Sequence, residues 1–344
     1  EIGKFKEAIA SYKRALTINP KYTLSNYNEA LVRLTLEEFD IGWKKYEHRF
    51  GRGRASLMRY KNHKLWDGDY LDGNLLVWSE QGIGDHIIFA SMLTDLKKFA
   101  KSITFEIDKR LINLFKRYCE KINFSNIKII SLEKKVVNNF DKHIAIGSLG
   151  QYLRKSRKSF ESTPNQYLVT SKLKEKQIRS KFFQNNKFKI GISWKTLNKK
   201  QPYRNISLQQ MLPVLSNSNC DFINLQFGKF DEEIKYFKLK YGINIRSIND
   251  IDNYNDIDGL AALINCLDLV ITIQNTTAHL SGALGKKTWV MLAKNARWHW
   301  FLDKKKSLWY PSMKIFRQEK IGDWNKVINN ISIDLKSLNN AKKN

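Results

Sequence analysis

Cysteine, proline and long apolar runs are what this sequence has least of. Of 344 residues only 3 are Cys and 5 are Pro. Cys119, Cys220 and Cys266 are odd in number, far apart and without CxxC spacing, which gives no zinc or redox motif. The chain is too long and too poor in cysteine for a disulfide-stapled miniprotein, and a reduced, cytoplasmic compartment fits best. No apolar run approaches the roughly 20 residues that cross a bilayer, so no transmembrane helix is expected. No GK[ST] follows a glycine loop, and no nucleic-acid-binding motif is present. The first residue is Glu1, without a Met or a signal peptide, inside what reads as a helix. The expectation is that this is the downstream part of something longer.

What is present is apolar enough to build several cores. Hydrophobic residues make up 42% and aromatics 12%, which excludes a disordered or collagen-like chain and suits two or three compact domains. Acidic residues are outnumbered, 33 against 60 Lys and Arg, for a net charge of +27. Such a balance favours anionic partners: phosphorylated substrates, nucleic acid or an acidic membrane surface. The lysines are nonetheless scattered over many faces in a chain rich in Lys, Asn and Ile. Lys199, Lys200 and Lys304–Lys306 read as solvated.

Residues 3–20 (GKFKEAIASYKRALTINP) place Gly3, Phe5, Ala8, Tyr12, Ala15 and Pro20 at helical spacing. Phe5 to Phe39 and Tyr12 to Tyr46 are each displaced by 34 positions, the repeat length of about 34 that marks tetratricopeptide arrays. Residues 1–52 resemble that family, cut so that the first unit keeps its second helix alone. Such a segment offers a surface for a protein partner or a cap on the next domain.

From residue 75 the pattern alternates between strand and helix. LLVW (75–78) reads as a strand, SEQGIGD (79–85) as a loop, and the following stretch as a helix through Phe99. ITFEID (103–108), a helix over 109–121, IKIISL and HIAIG complete the first series, and the polar stretch 154–187 reads as a linker. A second series starts with FKIGISW at 188. Its strands are FINLQF, INIRSI, LVITIQ and KTWVML, and its helices are SLQQMLPVL, DEEIKYFKLKYG, DGLAALINCL and TTAHLSGALG. The expected fold is α/β, two Rossmann-like domains with parallel sheets over 53–165 and 166–344, preceded by the all-α segment. Ligands would bind at the strand carboxyl ends, in a cleft between the halves.

Three loops carry candidate chemistry. EQGIGDHIIFA (80–90) has two glycines for a sharp turn into a helix N-terminus that attracts anions, with Asp85 placed to accept a proton from an attacking hydroxyl. An N-cap is the competing role for Asp85. ITIQNTTAHLSGALG (271–285) runs a strand into Asn275, Thr276 and Thr277 and a small-residue helix with His279, suited to cradling a diphosphate. His279 could equally be a satisfied core residue. Lys195, directly after the strand at 188, and Arg204 beyond it would neutralise a leaving phosphate, and Gln226 of LQFG could contact a base or ribose. Trp298, Trp300, Trp309 and Tyr310 read as core and domain-closing packing.

EQGIGD with its helix, SWK…R…SL, LQFG, DIDGLAALINCLDLVITIQNTTAHLSGALGKKTWVML and WYPSMKIFRQ…GDW together resemble one family across nearly the whole chain, apart from gaps in 100–185. It is the bacterial tetratricopeptide-repeat proteins fused to a domain like glycosyltransferase family 9, the heptosyltransferases. The resemblance implies a GT-B architecture, with acceptor on the first half and nucleotide-sugar donor on the second, and metal-independent inversion. It matches Gly84 and Asp85 to the family's GD, with Asp as base, and His279 to the donor-loop His. Lys195 falls near a phosphate-neutralising Lys, and the final helix around Trp324 is expected to cross back to the first half. Gln274 and Thr276 stand where the family has Asp and Gly, and the acidic ribose contact expected just after LQFG is displaced, with Phe230 near its position and Asp231 next. The donor is therefore left open.

The resulting expectation is a cytoplasmic glycosyltransferase, peripheral at the inner membrane where its charge meets acidic lipid. It would need no cofactor beyond the nucleotide-diphosphate sugar as co-substrate. Its partners would be that donor, a glycan, glycolipid or protein acceptor, and a protein bound through the repeats, without specific nucleic-acid binding. The rival readings are a non-catalytic interaction scaffold with a degenerate nucleotide-sugar domain and a nucleic-acid-binding protein.

Overall fold

The computed structural model describes residues 3–51, 57–133, 139–196, 201–302 and 305–341, with side chains to 338. Lys199, Lys200 and Lys304 lie outside these; Lys305 and Lys306 are exposed. The chain forms two units. One is Glu1–Tyr167 with Arg297–Asp303, the other Leu168–Ala296 with Lys304–Asn344.

The first unit opens with helices α1 (Phe5–Ile18), α2 (Thr23–Thr35) and α3 (Phe39–Tyr46), packed α1 on α2 and α2 on α3. There follow β1 (Leu71–Trp78), α4 (Ile83–Ala90), β2 (Ala100–Ile107), α5 (Ile112–Lys121), β3 (Ile127–Ser131), β4 (Lys142–Ala145) and α6 (Gly150–Leu153). The strands pair in parallel in the order β3-β2-β1-β4. Leu75 to Trp78 are all buried, as a parallel strand covered on both faces requires. The chain reverses direction across the sheet between β1 and β4, and there the helical segment is fastened. Arg49, 1% exposed, donates through Nε and Nη2 to Glu80 at 2.6–3.1 Å, through Nη2 to Ser148 Oγ at 2.7 Å and through Nη1 to Glu47 at 2.7 Å. Glu80 follows β1 and Ser148 follows β4, so Arg49 bridges the switch point. Trp43 on α3 donates to Arg154 O at 2.8 Å and lies on Gly150, where a Cβ would come within 2.4 Å of its ring.

The second unit comprises α7 (Lys172–Phe182), β5 (Phe188–Ser193), α8 (Leu212–Leu215), β6 (Cys220–Asn224), α9 (Asp231–Tyr241), β7 (Ile245–Arg246), α10 (Ile257–Cys266), β8 (Leu269–Ile273), α11 (Thr276–Ala283), β9 (Thr288–Leu292), β10 (Met313–Arg317) and α12 (Asn325–Ala341). Its six parallel strands run β10-β9-β8-β5-β6-β7. The chain lays β5, β6 and β7 outward one way, then returns to lay β8, β9 and β10 the other way. This is the doubly wound order, with its switch point between β5 and β8.

Several elements differ from expectation. The helix after β1 stops at Ala90 and continues as a 3-10 turn over Leu93–Lys98, because Ser91 Oγ bonds back to Ile88 O at 2.6 Å and the chain must return for β2. In 207–215 the α-helix is Leu212–Leu215 alone, since Pro213 suits a first turn and not a helix interior. The stretch 154–187 is no plain linker: Arg157–Ser162 is a 3-10 helix, and α7, capped by Ser171, packs on α10. The final helix does not return to the first half. Trp324, Val327, Ile328, Ile331 and Leu335 join the second unit's core with Met211 and Val214, and Arg297–Asp303 is the segment that returns. Among the described residues, no helix is long and apolar enough to cross a membrane.

Removing one partner of a buried charge pair strands the other in a low dielectric. Arg49→Ala is therefore expected to lower unfolding free energy by about 3–5 kcal/mol, and Arg49→Met with Glu80→Gln by clearly less. Urea denaturation reads both; an unchanged midpoint in Arg49→Ala would refute the fastening role.

Candidate functional site

The first unit's candidate lies in the turn from β1 to α4. Gln81 adopts φ +66°, a conformation side chains seldom take, and its Nε2 donates to Tyr46 Oη at 3.0 Å. Gly82 is the N-cap of α4, so Asp85 stands at the third helical position and not at the cap itself. The Asp85 carboxylate still serves the helix start, accepting the Gly82 N–H at 3.2 Å. Burial pushes the Asp85 carboxyl above its usual range; the Arg297 guanidinium and the Gly82 N–H oppose this, and the Glu80 charge reinforces it. Gly84 lies half-buried in the first turn. Neighbouring His86 is driven down to about 4 by burial and so is neutral at pH 7.

In the second unit the candidates gather at the carboxyl ends of β5, β6 and β8. Asn275 caps α11, its Oδ1 accepting the Ala278 N–H at 3.3 Å, while its Nδ2 donates to Ser193 Oγ at 2.7 Å. That bond ties the end of β8 to the end of β5. Gln226, after β6, accepts at Oε1 from the amides of Trp194 (3.0 Å) and Lys195 (2.8 Å) and from Ser193 Oγ (3.2 Å). Three strand ends are thus laced by two side-chain amides. Arg204 reaches the same place, donating to Gln274 O and to Gln201 Oε1 at 2.7 Å. Gln226, Asn275 and Arg204 therefore shape the loops through which any ligand would be met.

Thr276 is half-buried and Thr277 buried in the first turn of α11. His279 is buried, with Nδ1 2.8 Å from Tyr310 Oη. Gly282 makes this possible: a Cβ there would meet the Tyr310 ring at 2.4 Å. Lys195 Nζ is 2.7 Å from Glu233 on α9 and lies over the Phe230 ring, so its cation is balanced by a carboxylate.

Sequence reasoning missed a cavity of about 240 Å³ beyond β6 and β7, the room of about eight liquid waters. It is lined by Gln226, Phe227 and Asp231 and by Asn249, Asn253 and Tyr254 from the segment after β7. Phe227 and Tyr254 stack at 5.8 Å and 27°, and Asn253 donates to Gln226 O at 3.3 Å. The signal available was the dense Asn and Asp run NDIDNYND, a loop composition directly after a strand. Tyr310, Glu233, Arg297 and Arg49 were also missed as partners, since each comes from a distant part of the chain. The expected tryptophan cluster divides: Trp298 and Trp300 are buried with the first unit, Trp309 and Tyr310 with the second.

No family model matches the chain. It is 28% identical over 357 aligned positions to Protein FlbA of Caulobacter vibrioides, covering 98% of this chain. The chain spans 60% of the length of that curated relative. Among solved structures it is similar to the glycosyl transferase family 9 structure from Veillonella parvula, at 12% identity, TM-score 0.50, and coverage of 74% of this chain and 88% of that one. It is also similar to E. coli ADP-heptose lps heptosyltransferase II, at 10% identity, TM-score 0.49, and coverage of 76% and 99%. The family 9 likeness establishes a GT-B-like, glycosyltransferase-type α/β fold, with helices at the N-terminus.

The Asp85 environment has a measurable consequence. A carboxyl raised above its usual 3.8 makes the ionised folded state less stable than a neutral equivalent. That penalty is absent below about pH 3.8 and complete above the folded pKa. Asp85→Asn, which keeps an acceptor for Gly82, is expected to melt higher than wild type at pH 7–8, the difference closing as pH falls below the usual value. A variant that melts no higher at pH 8 would contradict the burial argument.

Proposed function

We propose that the chain is a glycosyltransferase that moves a sugar from a nucleotide-diphosphate donor to an acceptor hydroxyl, with inversion and without a metal. The observation that carries this reading is the second unit's switch point, where β5, β6 and β8 end together and α11 begins. In open α/β sheets that is where ligands bind, and a helix N-terminus there suits phosphate. The diphosphate would lie against the first turn of α11, with Thr276, Thr277 and His279 donating hydrogen bonds. Lys195 would exchange its Glu233 partner for the departing phosphate as negative charge builds. The cavity walled by Phe227 and Tyr254 would take the nucleoside, with Asp231 toward the ribose.

In the first unit Asp85 would take the proton of the acceptor hydroxyl as it attacks the anomeric carbon. Its burial favours this, since a carboxylate raised above its usual range is a stronger base. The acceptor would be a glycan, a lipid-linked sugar or a protein. The helices over 1–52, read as tetratricopeptide-like, would offer a protein partner a surface. The reading includes cytoplasmic placement with peripheral contact at an acidic membrane, supported by the +27 charge.

One observation favours a second reading. Gln226, Asn275, Arg204 and Lys195 are all engaged within the protein, as in a scaffold that keeps the fold and has lost turnover. A thermal-shift panel of UDP, ADP, GDP and CMP separates the two. One nucleotide is expected to raise the melting temperature by a few degrees, since a ligand at a hundred times its Kd adds about 2.7 kcal/mol. His279→Ala is expected to remove most of that shift, and Asp85→Asn to keep it while abolishing transfer. Stabilisation by none of the four would favour the scaffold.

A further inference from the structure

Arg297–Asp303 lies in sequence between β9 and β10, both strands of the second unit, yet it belongs to the first. Trp298 is its anchor. The Trp298 ring lies 5.4 Å from Trp43 edge-on, 5.7 Å from Tyr46, and stacks on Phe89 at 6.3 Å and 26°. Phe301 extends the anchor, edge-on to Phe39 at 5.8 Å and to Phe160 at 5.6 Å. Aromatic pairs of this kind stabilise beyond the area they bury, so the segment is held by several ring contacts.

The placement of the anchor is specific. Phe89 lies one helical turn after Asp85 on α4, so both project from the same face. A ring seated on Phe89 places the residue before it in the neighbourhood of α4. That residue is Arg297, which is exposed and whose guanidinium acts electrostatically on the Asp85 carboxylate. The other groups facing Asp85 are accounted for. Glu80, in the loop before α4, is paired with Arg49; Tyr46, on α3, is buried with its hydroxyl held well above the usual range by that burial; the Gly82 N–H donates to the carboxylate. After burial, Arg297 is the largest influence on the carboxyl, and it acts in the opposite direction.

We propose that Arg297 is a positioning residue for Asp85, delivered by the Trp298 anchor to hold the carboxylate anionic and aimed for proton abstraction. This rests on the reading of Asp85 as the base. It makes the base dependent on a segment far along the chain, which neither α4 nor its loop encodes. A half-buried carboxylate with no cation nearby is harder to keep ionised, and Arg297 opposes that.

The test is a ¹³C NMR titration of aspartate carboxyl carbons in the full chain, with the Asp85 resonance assigned by its loss in Asp85→Asn. Arg297→Gln is expected to move the Asp85 midpoint upward by several tenths of a pH unit, Arg297→Lys to restore most of it, and added salt to shrink the difference. Trp298→Phe, which keeps a ring on Phe89 but loosens the anchor, is expected to fall between. An Asp85 midpoint in Arg297→Gln equal to that of wild type would overturn the proposal. The titration needs no substrate. Retained transfer in Asp85→Asn would instead overturn the base reading, so the two failures are told apart.

Discussion

A buried guanidinium organises the first unit. Arg49 is buried, so its donors must be met by Glu80, Glu47, Ser148 and the Tyr46 carbonyl. These partners come from the helical segment, the end of β1 and the turn after β4. Charge satisfaction therefore forces three stretches of chain to one point. The Glu80 loop is fixed by this pair, and α4 and Asp85 follow from that loop. The helical segment is consequently part of the architecture around Asp85, and its aromatic face, Trp43 and Tyr46, becomes the seat for Trp298.

The two units treat the same topological feature in different ways. Each sheet has a switch point where an open α/β fold can accept a ligand. In the first unit Arg49 bridges it, joining the loop after β1 to the turn after β4. In the second unit the strand ends are joined by neutral amides, Gln226 and Asn275, which draw the loops together and leave the first turn of α11 at the edge. Lys195 paired with Glu233 keeps a cation near that edge without leaving it unbalanced.

Much of the fold could be read from the chain because parallel strands covered on both faces must be apolar along their length. LLVW lies within β1, and ITFEID, LVITIQ and KTWVML each lie in a strand but for one terminal residue. Short or edge elements were harder. β7 is two residues long, β10 lies in a stretch read only as part of a motif, and α7 is a helix so polar that composition alone suggests a linker. At the site, glycine turns and helix starts were legible because backbone geometry dictates residue type. Which of those side chains are engaged, and by whom, was not.

The sequence by itself determined the alternation of strand and helix, the turns at 80–85 and 274–277, and the identity of residues at the strand ends. Local physics decides these: apolar periodicity, glycine freedom and capping act over a few positions. The tertiary structure alone decided that Arg49 meets Glu80 and that Tyr310 meets His279. Each pair is separated by 31 positions or more, as for Arg49 with Glu80 and His279 with Tyr310. Nothing in a local pattern encodes such a pairing; it exists because burying one polar group obliges the fold to bring it a partner.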